Sequence, residues 1–492
     1  MFRSARICVP VCEKEFDALR QTCARASEWA DLIELRLDCL ERVPEKIPEI
    51  DHPVILTLRP AEQGGHGKLN REERQAFWSS ITPQTETVWW DIEGDLVHEL
   101  APDWSRVIVS HHDFSGVPHD LEQIYERLAR TPAAVLKIAV QANDILDCIP
   151  IFNLLDRARN EGKELIAIAM GNAGIATRIL GPSRGSFLTY GAVDDQSATA
   201  PGQVNARKLR SLYHLDTIDN ETMICGLVGL PVMHSVSPHI HNAAFVSENV
   251  NGVYLPFEVQ NAPQFFKHMV HPRTRELDWN LRGLSVTAPH KQAVMDCLDW
   301  IEPDAKEIGA VNTVVVQNDR LHGYNTDAAG FIDPLLSRFA TLRDARVAII
   351  GAGGAARAAI WALKRQNANV TLFARDTNKA RALADLFEVS CRSLAGASFN
   401  GYDLVINATP LGSGAHIDQS PATAEQLAGS RCVYDLIYNP VETQLLHEAQ
   451  KARCETLNGL EMLVAQAGMQ FELWTGKKVS RGFSQMNADL SF

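Results

Sequence analysis

"RVIVSHHDFSGVPHDLEQIYERLARTPAAVLKIAVQ", Arg106–Gln141, holds two β-rich runs, "RVIVSHH" and "AAVLKIAV", with the polar, helix-permissive "DLEQIYERLART" between them. The same step recurs along the first two hundred residues. "ARICVPV", "DLIELRLD", "PVILTLR" and "TVWWDIE" precede it, and "ELIAIAM" and "SFLTYGA" follow. Eight strands with intervening helices predict a closed (β/α)8 barrel, the TIM barrel, within an α/β chain. In that fold the chemistry sits at the C-terminal ends of the strands. Those ends carry Glu34, Arg36, Asp38, Arg59, Asp91, Glu93, His112 and Arg178, too many charges for a purely structural core.

Lys137 interrupts the second run, among Val135, Leu136, Ile138, Ala139 and Val140. Alternation puts Val135, Lys137 and Ala139 on one face of the strand. An unpartnered buried ammonium is costly, so the residue either reaches a partner or serves chemistry. The structural reading pairs it with Glu34 or Glu93. The chemical reading has burial or nearby cations lower its pKa, giving an amine that forms a Schiff base with a carbonyl substrate. His111 and His112 end the preceding strand, and only one of them can point into the barrel mouth. A histidine there suits a proton shuttle, with Asp91 or Glu93 to orient it.

The 492 residues require two or three domains. The chain is 46% hydrophobic and 22% charged, as globular proteins are. Its net charge of -13, from 47 Lys+Arg against 60 Asp+Glu, argues against nucleic acid or an anionic membrane as partner. The 10 cysteines include no CxxC pair and read as reduced thiols of a cytoplasmic protein. No signal-peptide pattern and no apolar run of membrane-spanning length occurs. No metal-ligand spacing is recognised, "MHSVSPHIHN" included, so no metal is expected.

The polar "DTIDNET", Asp216–Thr222, is the best linker. Beyond it "MICGLVG" opens a second unit, which alternates strands and helices to about Asp327. Then "RVAIIGAGGAARAAIWALKR", Arg346–Arg365, gives a strand, a glycine-rich turn and a helix. Gly351, Gly353 and Ala356 fit G-x-G-x-x-G/A, the dinucleotide fingerprint, with Gly354 a further small residue. "NVTLFAR", "DLVINAT" and "CVYDLIY" add three buried strands, which predicts a doubly wound Rossmann domain. Arg375 after the second strand suits an NADP 2′-phosphate, while Asp376 suits the ribose of NAD. Lys379, one turn on, favours NADP. "LEMLVAQAGMQFELWTG" reads as an amphipathic helix.

On these motifs, residues 1 to about 213 resemble type I 3-dehydroquinate dehydratase, and residues 222 to 492 resemble shikimate dehydrogenase. Together they resemble the bifunctional enzyme of the shikimate pathway, in the order seen in plants. The resemblance implies a barrel over 1–213 and a substrate-binding domain over 222–328, completed by C-terminal helices at about 460–492. It places a Rossmann domain over 329–459. In the dehydratase, "ELRLD" and "TLR" place substrate contacts on Glu34, Arg36 and Arg59. "HDF" selects His112 over His111, "KIAV" makes Lys137 the Schiff-base residue, "AMGNAGIATR" puts a carboxylate-binding arginine at Arg178, and "APGQ" adds Gln203. The chain departs from the family at Gln63, which stands where a glutamate often precedes the paired glycines.

In the dehydrogenase, "SVSP" gives Ser235 and Ser237 for substrate, and "SVTAPHK" gives Thr287 and the catalytic Lys291. "GAVNT" gives Asn312, "NTDAAGF" gives Asp327 as the lysine's catalytic partner, "DLIYNP" gives Tyr438 and "MLVAQA" gives Gln466. Gly351, Ala352, Gly353, Gly354, Ala355, Arg375, Lys379, Thr409 and Gly459 are implied for the cofactor, NADP rather than NAD. "ARDTNKA" departs from the family's usual "NRTxxKA" at positions 374 and 376. The implied activities convert 3-dehydroquinate to 3-dehydroshikimate and then to shikimate. A quinate-type dehydrogenase is the rival. A non-catalytic regulator would lose Lys137, His112, Lys291 or Asp327, and all four are present.

Overall fold

The computed structural model describes residues 5–479, apart from 43–46, 48–49, 68, 82–86 and 101. The eight runs form β1 (Ile7–Val11), β2 (Leu32–Arg36), β3 (Val54–Thr57), β4 (Val88–Glu93), β5 (Val107–Asp113), β6 (Val135–Gln141), β7 (Glu164–Met170) and β8 (Thr189–Tyr190). They make one sheet in the order β7-β6-β5-β4-β3-β2-β1-β8. All seven pairings are parallel. The seam from β8 back to β7 is a bridge of Leu165 with Ser186, where Phe187 N donates to Leu165 O at 2.8 Å. The result is a nearly closed eight-stranded barrel.

Alternation explains its filling. Cys8, Ile55, Ile108, Val135 and Ile166 pack together as an apolar layer. Two residues further along β6, on the same face as Val135, comes Lys137. Outside, the helix Leu121–Ala129 buries Leu121, Ile124, Tyr125 and Leu128, the i, i+3, i+4, i+7 stripe of a surface helix.

The chain forms two compact units, residues 1–242 with 251–281, and 243–250 with 282–492. In the first unit the stretch expected to be a linker is an ordered turn. The Asp219 carboxylate accepts from Glu221 N at 3.0 Å, Thr222 Oγ1 at 2.9 Å and Asn251 Nδ2 at 3.1 Å. The parallel pair β9 (Met223–Gly229) and β10 (Gly252–Glu258) follows. Arg184 donates to Asp278 O at 2.7 Å and Gln260 to Asn143 O at 3.0 Å, joining this part of the unit to the barrel.

The second unit holds β11 (Leu281–Val286), β12 (Trp300–Ile301), β13 (Thr313–Gln317) and β14 (Arg320–Tyr324), in the order β11-β13-β14-β12. A six-stranded parallel sheet follows: β15 (Arg346–Ile350), β16 (Asn369–Ala374), β17 (Ser390–Ser393), β18 (Leu404–Asn407), β19 (Cys432–Asp435) and β20 (Glu455–Leu457). Its order is β17-β16-β15-β18-β19-β20. Val347, Ile349, Leu404 and Ile406 face one apolar cluster, and Ala348, Ile350, Val405 and Val433 face another. Both faces are therefore covered, as in a doubly wound sheet. The order reverses at β15, which pairs with β16 on one side and β18 on the other, and such a switch point is where α/β sheets bind ligands.

One sequence expectation fails. Cys12 and Cys39 are joined by a disulfide, while the other eight cysteines form no disulfide. The two are 27 residues apart, so no local spacing shows them. They meet because β1 and β2 are neighbours and each cysteine lies past the C-terminal end of its strand. No helix among the described residues is long and apolar enough to cross a membrane.

Candidate active sites

The barrel mouth opens on a cavity. Glu34, Arg36, Arg59, His112, Lys137, Arg178 and Gln203 all line it. Lys137 is 4% exposed, so it does not reach out to water. Its Nζ donates to Asp91 Oδ2 at 2.8 Å, to Tyr190 OH at 2.8 Å and to Glu34 Oε1 at 3.4 Å. Two carboxylates from β2 and β4 thus offset the burial of the ammonium.

Arg59 ties the same carboxylates to the histidine. Its guanidinium donates to Asp91 Oδ2 at 2.8 Å and Ser110 Oγ at 2.8 Å, and approaches Glu93 Oε1 at 3.4 Å. It also lies 2.9 Å from His112 Nδ1. Arginine only donates, so Nδ1 accepts, and the neutral ring carries its proton on Nε2. Gln63 Oε1 accepts from the His112 backbone N at 3.1 Å. Neither Asp91 nor Glu93 orients His112, as the sequence reading had expected. Arg59 and Gln63 stand there instead, because β4 directs its carboxylates at Lys137, Arg59 and Arg74. His111, on the other face of β5, is half-buried and outside the cavity.

These contacts set the electrostatics. Burial, then the charges of Arg59, Lys137 and Arg36, hold the His112 imidazole well below its ordinary pKa of 6.5. Burial alone would raise the Asp91 carboxyl, but Arg59 and Lys137 outweigh it and hold the group below the carboxylate range. Burial pushes Glu93 up to about 7, with Asp91 adding to the rise and Arg59 opposing it. Arg178 is 2% exposed and has no carboxylate within ion-pair distance among the described residues. It donates to Pro201 O at 3.1 Å, and burial lowers its pKa to about 10. A buried guanidinium without an anion is fitted to receive one. Gln203 Oε1 accepts from Thr199 N at 2.8 Å, at the cavity rim.

Sequence reasoning missed three residues here and misassigned the role of a fourth. Asp91 pairs with Lys137 rather than with the histidine. Tyr190 read only as a strand residue. Thr199, which lines the cavity, lies in the "DDQSATAPGQ" segment, and Ser110 faces Arg59. The alternation of β5 held the signal for Ser110, two residues before His112.

In the second unit Lys291 Nζ lies 2.5 Å from Asp327 Oδ2. Asn312 Nδ2 donates to Asp327 Oδ1 at 2.8 Å, to Thr326 Oγ1 at 3.0 Å and to Gln466 Oε1 at 3.4 Å. Asp327 is the first residue of the helix Asp327–Arg338, where the helix dipole favours a negative charge. The helix Leu460–Thr475 brings Gln466 to this cluster, and its Gln470 donates to Thr313 Oγ1 at 3.0 Å and accepts from Ser285 Oγ at 2.7 Å. Thr287 and Tyr438 are half-buried. In the first unit Ser235 Oγ and Ser237 Oγ are 3.1 Å apart.

The glycine turn follows β15 and opens the helix Gly354–Arg365. Gly351 has φ +113°, and a Cβ there would meet Ala408 O at 2.8 Å, so only glycine fits. Beside Gly353 there is open space, and the nearest atom to a Cβ on Gly354 would be Lys291 Cδ at 3.1 Å. Thr409 Oγ1, past the end of β18, donates to Asn407 Oδ1 at 2.6 Å. Ala352 and Gly353 are exposed, Ala355 is half-buried, and Gly459 backs onto Ile437 O through its N–H at 2.9 Å. Arg375 is exposed just past the end of β16. Lys379 lies on the helix Thr377–Leu386, and its side chain is outside the described residues. A bare backbone cradle at a helix N-terminus fits a pyrophosphate, and an arginine at the end of the next strand fits a 2′-phosphate.

Geometry of this kind defines an α/β protein with a buried lysine at a barrel mouth and a glycine turn beside a lysine–aspartate pair. Known proteins make it particular. Residues 7–220 match the type I 3-dehydroquinase family. Residues 227–314 match the shikimate dehydrogenase substrate binding domain, 335–434 match shikimate / quinate 5-dehydrogenase, and 459–482 match the shikimate 5'-dehydrogenase C-terminal domain. The chloroplastic bifunctional 3-dehydroquinate dehydratase/shikimate dehydrogenase of Arabidopsis thaliana is 32% identical over 506 residues, covering 96% of this chain and 82% of that one. The shikimate dehydrogenase (NADP(+)) of Caldanaerobacter subterraneus subsp. tengcongensis is 42% identical over 54% of this chain and 96% of its own. A crystal structure of shikimate dehydrogenase with NADP+ aligns with TM-score 0.51 at 39% identity, over 55% of this chain and 96% of that one. Quinate dehydrogenase from Corynebacterium glutamicum, solved with NAD, aligns with TM-score 0.50 at 30% identity, over 56% and 100% of the chains. The chain belongs to the family of bifunctional 3-dehydroquinate dehydratase/shikimate dehydrogenases.

Proposed function

We propose that one chain carries two consecutive steps of the shikimate pathway. The barrel dehydrates 3-dehydroquinate, and the second enzyme reduces the resulting 3-dehydroshikimate to shikimate with NADPH. The observation that carries the first step is Lys137, buried in the cavity with its Nζ on Asp91 and Tyr190. Lys137 attacks the ring ketone and forms an imine, an electron sink for the proton lost beside it. Arg178 and Arg36 hold the substrate's carboxylate and hydroxyls. Arg59 turns from His112 to the substrate, which frees Nδ1 to take that proton. His112 then returns the proton to the departing hydroxyl, which leaves as water, and hydrolysis releases Lys137. Borohydride added with 3-dehydroquinate is expected to leave a stable adduct on Lys137. A folded protein with no adduct at that residue sinks the imine mechanism.

For the second step, bound NADPH supplies the hydride. The turn from Gly351 to Ala355, with Thr409 and Gly459, would hold it, and Arg375 and Lys379 would meet its 2′-phosphate. Lys291 Nζ gives a proton to the carbonyl oxygen, and Asp327, held by Asn312, keeps Lys291 aimed. In the second unit Thr287, Tyr438 and Gln466 are the contacts of the polyhydroxylated ring. The proposed domain division is dehydratase over 1–213, substrate-binding domain over 222–328 with the C-terminal helices, and nucleotide domain over 329–459; family matches over 7–220, 227–314, 335–434 and 459–482 support its order. The eight cysteines outside the Cys12–Cys39 disulfide support a cytoplasmic location.

Asp376, beside Arg375, favours a second reading for the cofactor, NAD, and the shikimate / quinate 5-dehydrogenase match keeps quinate as its substrate. Initial rates with shikimate and quinate, each with NADP and NAD, separate the two. A higher kcat/KM for shikimate with NADP supports the first reading, and the reverse order overturns it.

A further inference from the structure

We propose that Cys12 and Cys39 form a reversible thiol–disulfide switch that sets substrate affinity in the barrel. The inference rests on Arg36 being a substrate contact of the dehydratase. Both cysteines lie just past the C-terminal ends of β1 and β2, the end of the barrel that carries the cavity. Both are half-buried, within reach of a small disulfide, whereas Cys8, Cys23, Cys148, Cys225, Cys432 and Cys454 are buried. His66 offers a ring nitrogen within 4.8 Å of both sulfurs, so a proton acceptor stands beside the thiols.

The link to the cavity is one residue long. Asp38 adjoins Cys39 in the short turn Leu37–Cys39 and is 5% exposed. Its carboxylate holds Arg36 with both oxygens, at 2.9 Å from Nε and 2.7 Å from Nη2. The same carboxylate accepts from the backbone N of His66 at 2.9 Å. The disulfide therefore anchors, at one end, the turn that carries the arginine's clamp, and at the other, the end of β1. Opening it releases that anchor next to a bidentate ion pair whose geometry depends on the turn.

The chemistry is thiol–disulfide exchange with a low-molecular-weight disulfide as oxidant. One protein thiolate attacks a sulfur of the oxidant, forming a mixed disulfide and releasing one small thiolate. The second protein thiolate attacks the protein-side sulfur, forms the Cys12–Cys39 bond and releases the other. Two electrons pass to the oxidant, and the two protons of the protein thiols end on the two released thiols.

The test equilibrates the full-length protein in mixtures of reduced and oxidised glutathione. Alkylation and mass spectrometry read the pair, and dehydratase kinetics with 3-dehydroquinate are measured alongside. Reduction of 3-dehydroshikimate serves as the internal standard. The dehydratase KM is expected to rise about threefold or more as the pair opens, with kcat and the dehydrogenase rate within about twofold. Cys12→Ser and Cys39→Ser are expected to show the reduced protein's KM in every mixture. A pair that opens and closes with no change in KM overturns the switch, as does a redox response that survives in both serine variants. Stoichiometric Zn2+ on the reduced protein, with both cysteines protected from alkylation, assigns a metal site and overturns it too. Arg36→Lys separates the premise from the inference: a raised KM supports the substrate reading, and an unchanged KM overturns that reading itself.

Discussion

Lys137 gathers groups from four other strands or their ends: Glu34, Arg59, Asp91 and Tyr190. Part of this was legible before the structure. Alternation made Lys137 an inward residue, and the strand-end charges supplied partners. The identity of the partner was not legible, because which carboxylate of β4 reaches which cation depends on barrel curvature and not on spacing. His112 gives the first prediction at this scale. A histidine held below its ordinary 6.5 stays neutral in the folded protein down to lower pH. The unfolded chain takes up that proton first, so this contribution to stability is complete above about pH 6.5 and is lost as pH falls through the folded value. A base must be neutral to act, so the acid limb of the dehydratase kcat/KM is expected below pH 6.5. Arg59→Met removes one of the charges that depress it and is expected to move the limb upward, whatever it does to KM. A limb that stays put in the variant counts against the assignment of His112.

Tyr190 gives the second. Its hydroxyl accepts from Lys137 Nζ at 2.8 Å, and the same nitrogen lies 4.3 Å from its ring centroid. Burial raises its own pKa, so it stays a phenol and can also donate to the oxygen that leaves Lys137's target carbon. Tyr190→Phe keeps the ring and deletes that hydrogen bond. We expect kcat to fall about tenfold, equal to roughly 1.4 kcal/mol in the barrier, with borohydride trapping at Lys137 retained. Wild-type kcat in the variant would show that the hydroxyl is only packing.

At the scale of elements, the sequence exposed strands with apolar runs and hid those without them. Every β-rich run of the first two hundred residues became a barrel strand, since an apolar run flanked by helical stretches has few alternatives. β17, Ser390–Ser393, went unseen because "SCRS" is polar and mostly exposed at the sheet edge. β20, Glu455–Leu457, is three residues long. The disulfide was hidden for the same reason as the Lys137–Asp91 pair: each joins residues distant in sequence, the first from the neighbours β1 and β2, the second from β4 and β6 on either side of β5. The turn after β15 was the most legible element, and it carries its own test. Gly351→Ala places a Cβ 2.8 Å from Ala408 O and 2.9 Å from Thr409 Cγ2, at a φ of +113° that alanine disfavours. The turn must shift, and with it the first amides of the helix Gly354–Arg365. KM for NADPH is expected to rise about tenfold or more, while the dehydratase, in the other unit, keeps its wild-type rate. An unchanged KM for NADPH would mean that the cofactor does not rest on this turn.

At the scale of the whole molecule, the two proposed sets of catalytic groups have no residue in common. Lys137 and His112 belong to the first unit, and Lys291 and Asp327 to the second. Each set is held by hydrogen bonds within its own neighbourhood, so one can be removed without disturbing the other. Lys137→Arg keeps a cation on Asp91 but has no amine able to form an imine at neutral pH. It is expected to lose dehydration entirely and to reduce added 3-dehydroshikimate at the wild-type rate. Lys291→Ala leaves Asp327 with Asn312 and removes the proton donor, which is expected to lower the dehydrogenase kcat by about 10²–10⁴ while dehydration continues. Given 3-dehydroquinate and NADPH, neither variant alone makes shikimate at an appreciable rate. Mixed, they must pass 3-dehydroshikimate through solution, so shikimate should form after a lag that shortens as the Lys137→Arg protein, the one with the working reductase, is raised. A mixture that makes no shikimate, from two variants each active in its remaining step, would show that the ketone is not handed over as a free molecule. A Lys137→Arg protein whose reductase falls in parallel with its dehydratase would show that the two chemistries are not independent.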